Sequence, residues 1–408
     1  LYISIVAFDL AKKHIVKMKE IQQLSPVPGK SKLQLCFMIC SLALSSCKAQ
    51  SDHIEKYVGT ALLPELSSIF IEERSYQDTP VDSKLAQRFD EFITKIKPNG
   101  VSVSIAIPGK GTWNHQSGFA NKTLDIKVDQ HTLFYWASVG KMFTSVVINQ
   151  LIKEQKLGMA SPLSKWFPLF KFSDKITIQD LLVHTSGIYS FNYDESFNSS
   201  PNLYYSPDQL IAIAQKAKPQ FKPGEHWSYS NTNYLLLALI AEAIEHKPFA
   251  QIVQERIVKP IGLTSIKVLE PKEQPSNLAQ CHKNGDIILR DYSVPLGAGN
   301  LVGNAADMVK FHIALLSNKF FDSTVTSALF AKMYPMFEKG MYYGQGVMCY
   351  NFPEIDGSRG KWIGHSGGIP DYKSVVILDL QTGIIVAVSV NENIPAEAIA
   401  NNLIKLAS

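Results

Sequence analysis

The chain has 408 residues, 46% hydrophobic and 19% charged, with 24 Gly and 21 Pro, which supplies ample core and excludes disorder, a collagen-like repeat and a small disulfide scaffold. Its formal charge of +4 lies wholly in residues 1–46, where Lys12, Lys13, Lys17, Lys19, Lys30 and Lys32 face only Asp9 and Glu20. The neutral remainder has no Lys/Arg block and so no electrostatic reason to bind nucleic acid or an anionic membrane.

Leu33 to Leu44 reads LQLCFMICSLAL, too short to span a bilayer. With Lys30 and Lys32 before it and Ser45 and Ser46 after it, it has the charged start, apolar stretch and small-residue boundary of a secretory signal. Leu44-Ser45-Ser46-Cys47 is similar to the lipobox of bacterial lipoproteins, which implies acylation of Cys47, membrane attachment and an exported, periplasmic or membrane-anchored protein; ordinary cleavage after Ala49 would leave it soluble. Residues 1–46 are therefore expected to be a leader, 47–80 a tether without sustained period, and 81–408 the folded domain. Cys281 and Cys349, the cysteines of that domain, read as small buried hydrophobes. Without CxxC, HExxH or a zinc-spaced His/Cys cluster, no metal or cofactor is expected.

The spacing of Leu85, Phe89, Phe92, Ile93 and Ile96 predicts a helix over 84–96. VSVSIAI at 101–107 alternates as a strand, and a second strand is expected over 111–119. A helix begins near Ser138 and runs through Leu151. Residues 150–290 read as mainly helical, clearest over 207–216 and 234–244. SVVILDL at 374–380 and GIIVAVSV at 383–390 are β-branched runs joined by Gln381-Thr382, a hairpin, and a helix over 395–406 follows. Strands from both ends of the domain with helices between them predict an α+β fold, an antiparallel sheet built from the two ends with a helical region inserted.

Three short motifs carry chemistry. Ser138-Val139-Gly140-Lys141 puts a hydroxyl and an amine three residues apart, on one face of a helix start. A lysine in a dry pocket loses its charge readily and can take a serine's proton, and the helix N-terminus favours the negative charge that develops. Tyr229-Ser230-Asn231 presents a phenol for proton transfer and an amide for a substrate carbonyl. In His365-Ser366-Gly367-Gly368 the glycines allow close backbone approach, so the N–H groups of Gly368 and Ser138 suit an oxyanion hole. Gly364-His365-Ser366-Gly367-Gly368 also spells a nucleophile elbow, but a strand follows it and no His lies downstream of His365, as the order of an elbow triad requires.

Together with FYWASVGKMFTS, LLVHTSGI and PLGAGNLVGNAADMVKF, these motifs make residues 85–408 resemble the serine β-lactamase and penicillin-recognising superfamily, in the branch of class C β-lactamases, D-alanyl-D-alanine carboxypeptidases, D-aminopeptidases and related esterases. The resemblance implies a β-lactamase-like sheet, an acyl-enzyme on Ser138, and proton transfer shared by Lys141 and Tyr229, with the acylation base left open between them. It also implies that Asn231, His365, Ser366 and Gly367 bind substrate and that Ser138 and Gly368 form the oxyanion hole. The substrate class implied is a small molecule or peptide: D-amino-acid peptides, esters or amides, with β-lactam hydrolysis or non-turnover penicillin binding as alternatives. His-Ser-Gly replaces the Lys-Thr-Gly usual in lactamases, so a titratable imidazole stands for a fixed cation. His184 within HTSG reads as a helix-turn cap. The aromatic-rich stretch 191–205 reads as either a lid or a loop pinned by its own rings.

Overall fold

The computed structural model describes residues 69–408 apart from 201 and 285, and ahead of them Leu63, Leu66 and the backbone of the strand Glu55–Lys56. The expected leader, Cys47 and most of the tether lie outside the described residues. Among the described residues no helix is long and apolar enough to cross a membrane.

Helix α1 (Ser83–Ile96) starts where the Asp82 side chain accepts from the N–H groups of Lys84 and Leu85, and it buries the five apolar residues that predicted it. It leads into β1 (Gly100–Ile107), β2 (Gly111–Asn121) and β3 (Ile126–Lys127). Six further strands come from the far end of the chain: β4 (Tyr334–Pro335), β5 (Met341–Tyr343), β6 (Met348–Asn351), β7 (Lys361–Ile369), β8 (Tyr372–Asp379) and β9 (Ile385–Val390). The nine form one sheet in the order β4-β5-β6-β7-β8-β9-β1-β2-β3. The seam between the two ends is the antiparallel pair β9–β1, in register from Val390↔Val101 to Ile385↔Ala106.

Every residue of β1 and β9 is buried, as a strand covered on both faces must be. Helix α6 (Ala305–Leu316) covers them on one side; α7 (Ala396–Ala407) packs on β8 and β9 and against α1. Between these ends lie α2 (Gly140–Lys153), α3 (Ile178–Val183), α4 (Pro207–Lys216) and α5 (Asn231–Glu245). The inserted region is helical to Val258 but then turns to the short strands Lys267–Val268, Cys281–Lys283 and Asp286–Ile288, where a mainly helical stretch to 290 was expected. Cys281 and Cys349 are both buried and are not joined to each other by a disulfide.

Candidate active site

The chain enters the site through a strained turn. After the strand Phe134–Tyr135, Ala137 takes a left-handed conformation (φ 46°), a single 3-10 turn spans Ala137–Val139, and α2 begins at Gly140 rather than at Ser138. Three bonds fix the turn: Trp136 donates its N–H to Leu301 O (2.9 Å) and its indole N–H to Gly303 O (3.0 Å), while its carbonyl accepts from Ser374 Oγ (2.8 Å).

Lys141 is wholly buried one turn further on. Its Nζ lies 3.0 Å from Ser138 Oγ, 2.7 Å from Asn231 Oδ1 and 2.6 Å from the Ala298 carbonyl. Asn231 Oδ1 and Ala298 O can only accept, so they take two N–H groups and leave the third direction to the serine. A neutral amine satisfies this arrangement with its lone pair on the Ser138 O–H. Burial drives the Lys141 pKa well below the ordinary lysine value, which favours that neutral form. The Tyr229 phenol shifts the other way, well above its ordinary value, because of burial, with a hydrogen bond to Ser138 opposing the shift. The Ser138 hydroxyl therefore stands between an amine inclined to be neutral and a phenol inclined to keep its proton.

Asn231 is the first residue of α5, not a loop residue. Both ends of its amide are engaged within the protein, Oδ1 by Lys141 and Nδ2 on Asn192 Oδ1 (2.8 Å), and its N–H bonds Ser190 Oγ (2.7 Å). The aromatic stretch after Ser190 is thereby placed. Phe191 packs on Phe197 and Phe197 on Tyr205, at centroid distances of 5.3 and 5.2 Å, while Asn192 buttresses Asn231. It is a loop pinned by its own rings beside the site.

The first half of β7 pairs with β6 only as far as Gly364; from His365 on, its sole strand partner is β8, so this half is locally an edge facing the Ser138 turn. Gly367 lies so close that a Cβ there would stand 2.3 Å from Trp136 O and 2.9 Å from Ser138 N. The close approach there is made by the protein's own backbone. His365 departs further from expectation. It is fully buried, bonded through Nε2 to Tyr343 Oη (3.1 Å) and through Nδ1 to Ser366 O (2.5 Å). Burial lowers its pKa to about 3, so it offers no cation to a substrate carboxylate. The Ser366 hydroxyl bonds Tyr350 Oη (2.8 Å).

Two contributors were not visible as site residues in the sequence. Ala298 acts through its carbonyl, delivered by a glycine-rich segment in which a Cβ at Gly299 would meet Ala137 C at 2.9 Å. His184 ends α3 in a left-handed cap (φ 64°), the cap role its motif suggested, but its ring also lies 4.4 Å from that of Tyr229. Among the described residues no group of three or more His, Cys, Asp or Glu is arranged to hold a metal ion.

A model of the Beta-lactamase family matches residues 85–408. The chain belongs to that family. Relatives in the family include penicillin-binding protein 4* of Bacillus subtilis, 26% identical over 314 residues that cover 71% of this chain and 67% of that protein. The teichoic acid D-alanine hydrolase of Staphylococcus aureus is 28% identical over 258 residues, 61% of this chain and 63% of that protein. Among solved structures, the D-amino acid amidase from Ochrobactrum anthropi SV3 shares the fold at a TM-score of 0.69 and 22% identity, covering 80% of this chain and 99% of that one. The penicillin binding protein from Bacillus halodurans superposes at 0.68 with 25% identity, over 78% of this chain and 98% of that one. Family membership makes the chain a serine hydrolase of the β-lactamase and penicillin-recognising superfamily, as its motifs implied.

Proposed function

We propose that the chain hydrolyses D-amino-acid esters, amides or peptides through an acyl-enzyme on Ser138. The observation that carries this is the Ser138 hydroxyl held 3.0 Å from a buried Lys141 amine that itself lies 4.9 Å from the Tyr229 ring centroid; likeness to a D-alanine hydrolase points to the substrate class. The opposed pKa directions support a division of roles in which Lys141 is the acylation base and Tyr229 the proton donor. As Ser138 Oγ bonds the substrate carbonyl carbon, its proton passes to Lys141 Nζ, and the oxyanion is received by the Ser138 and Gly368 N–H groups. Collapse breaks the bond to the leaving group, which takes the Tyr229 proton; the Lys141 ammonium, 4.9 Å from the ring centroid, returns a proton to the phenolate. Water then attacks the ester, and the same groups in reverse free Ser138.

β-Lactams are poorer candidates, because the buried neutral His365 supplies no fixed cation. On the strength of residues 30–47 we also place the protein outside the cytoplasm, tethered by lipid on Cys47.

Peptide-mapped intact mass of the protein expressed in bacteria from the full chain, recovered from the membrane and soluble fractions alike and treated with a fluorophosphonate, tests both parts. One adduct on Ser138, absent in Ser138→Ala, and a diacylglyceryl group on Cys47 are expected. No adduct on folded protein overturns the hydrolase reading, and an unmodified Cys47 overturns the anchor alone. Faster turnover of the L- than the D-alanine p-nitrophenyl ester overturns the substrate class.

A further inference from the structure

We propose that His184 is the positioning residue for Tyr229, holding the phenol where it delivers its proton to the leaving group; this rests on the role given to Tyr229 above. The residues on either side of Tyr229 both hang from His184. Its carbonyl accepts the Ser228 N–H (3.0 Å), and its Nδ1 accepts the Ser230 N–H (3.1 Å). Between those two anchors the imidazole lies against the Tyr229 ring, centroids 4.4 Å apart and planes inclined by 38°. Trp227, Tyr234 and Tyr343 wall the other sides at 5.9, 5.3 and 4.7 Å, so the ring has no room to turn.

A backbone N–H can only donate, so Nδ1 is the acceptor and the proton of the neutral ring is on Nε2. That Nε2 is buried without a partner, and the backbone beneath it is held at φ 64°. Both features are unfavourable, and a glycine would end α3 with neither. A glycine, however, would bring no acceptor for Ser230 and no face for Tyr229. Asn233 Nδ2, at 3.4 Å, approaches the same Nδ1 from α5, so the imidazole ties the end of α3, the Tyr229 segment and the start of α5 to one atom.

Leaving groups distinguish this role from simple support of the fold. An amide nitrogen must be protonated as it departs, whereas p-nitrophenolate leaves unaided. His184→Ala removes the acceptor; His184→Asn restores one near the Nδ1 position and tolerates the left-handed backbone. With D-alanine amide, His184→Ala is expected to lower kcat/KM, which reports acylation alone, by about 10²-fold, and with D-alanine p-nitrophenyl ester, whose deacylation passes through the same acyl-enzyme, to lower kcat/KM by less than about tenfold. His184→Asn is expected to recover most of the loss on the amide. Parallel losses on both substrates, or equal losses in the Ala and Asn variants, overturn the proposal. If His184→Ala does not fold, His184→Asn decides: a wild-type melting temperature with amide activity still lost refutes the role, and retained activity supports it. Wild-type labelling on Ser138 runs beside these assays, so its absence overturns the hydrolase reading, whereas labelling with parallel losses overturns the role of His184 alone.

Discussion

Lys141 has to be buried and uncharged to act, and the same requirement leaves a thermodynamic trace. Its folded pKa lies well below the ordinary value of 10.5, so between the two values the unfolded chain binds a proton that the folded chain does not. Stability then rises with pH. The contribution is complete above the unfolded pKa and is lost as pH falls through the folded one. Lys141→Met abolishes that dependence together with the base. The melting temperature of wild type is therefore expected to gain on that of Lys141→Met from pH 7 to pH 10, while the variant acylates at least about 10³-fold more slowly and stays folded. Differential scanning fluorimetry at both pH values checks the first part; a gap that does not change with pH would mean that the lysine is charged in the fold.

At the scale of elements, the site is the place where β7 is pressed against the turn between Phe134–Tyr135 and α2. Two adjacent glycines on β7 play different parts there. A Cβ at Gly367 would stand 2.3 Å from a backbone carbonyl and 2.7 Å from Ser374 Oγ, whereas at Gly368 its nearest neighbour, at 3.0 Å, is the flexible Lys373 side chain. Gly367→Ala is expected to push strand from turn, costing about 1–3 kcal/mol and most of the labelling of Ser138. Gly368→Ala should melt within about 1 kcal/mol of wild type by urea titration; equal destabilisation by both would refute the difference. Much of this frame was legible in the sequence. The β-branched runs of β1, β8 and β9 and the apolar stripe of α1 have periods long enough to read, and Ser138, Lys141 and Tyr229 have side chains that advertise proton transfer. What was illegible works by other means. β4, β5 and β6 have two to four residues each, too few for a period. Ala298 contributes a carbonyl, which any residue type carries, and it meets Lys141 across 157 positions. His365 was read from its charge type, but its burial, which removes that charge, comes from Tyr343 on a strand too short to foresee.

Over the whole molecule, covering the sheet on both faces buries several imidazoles in neutral form. His184 and His365 lie near the site; His312 lies on α6, with Nδ1 unpartnered and Nε2 3.3 Å from Ile363 O. Burial lowers all three, His312 to about 4 and His365 to about 3. Each therefore supplies stability that is complete above the unfolded value near 6.5 and is lost as pH falls through the folded value. Glu397 and Asp371, raised by burial, act in the opposite sense, favouring the fold below their ordinary values and losing that contribution as pH rises through the raised ones. His312 gives the cleanest measurement, since none of the proposed proton transfers passes through it. Between pH 7.5 and pH 5 its burial is expected to remove about 2 kcal/mol of stability, the free energy of protonating that imidazole in the unfolded chain alone. His312→Met should therefore lose less stability than wild type over the same interval, by about that amount, in urea titrations at the two pH values. An equal loss in both proteins would mean that His312 accepts its proton as readily folded as unfolded, and the acid sensitivity of the fold would then have to come from other groups, among them His184, His282 and His365, whose pKa values burial also lowers.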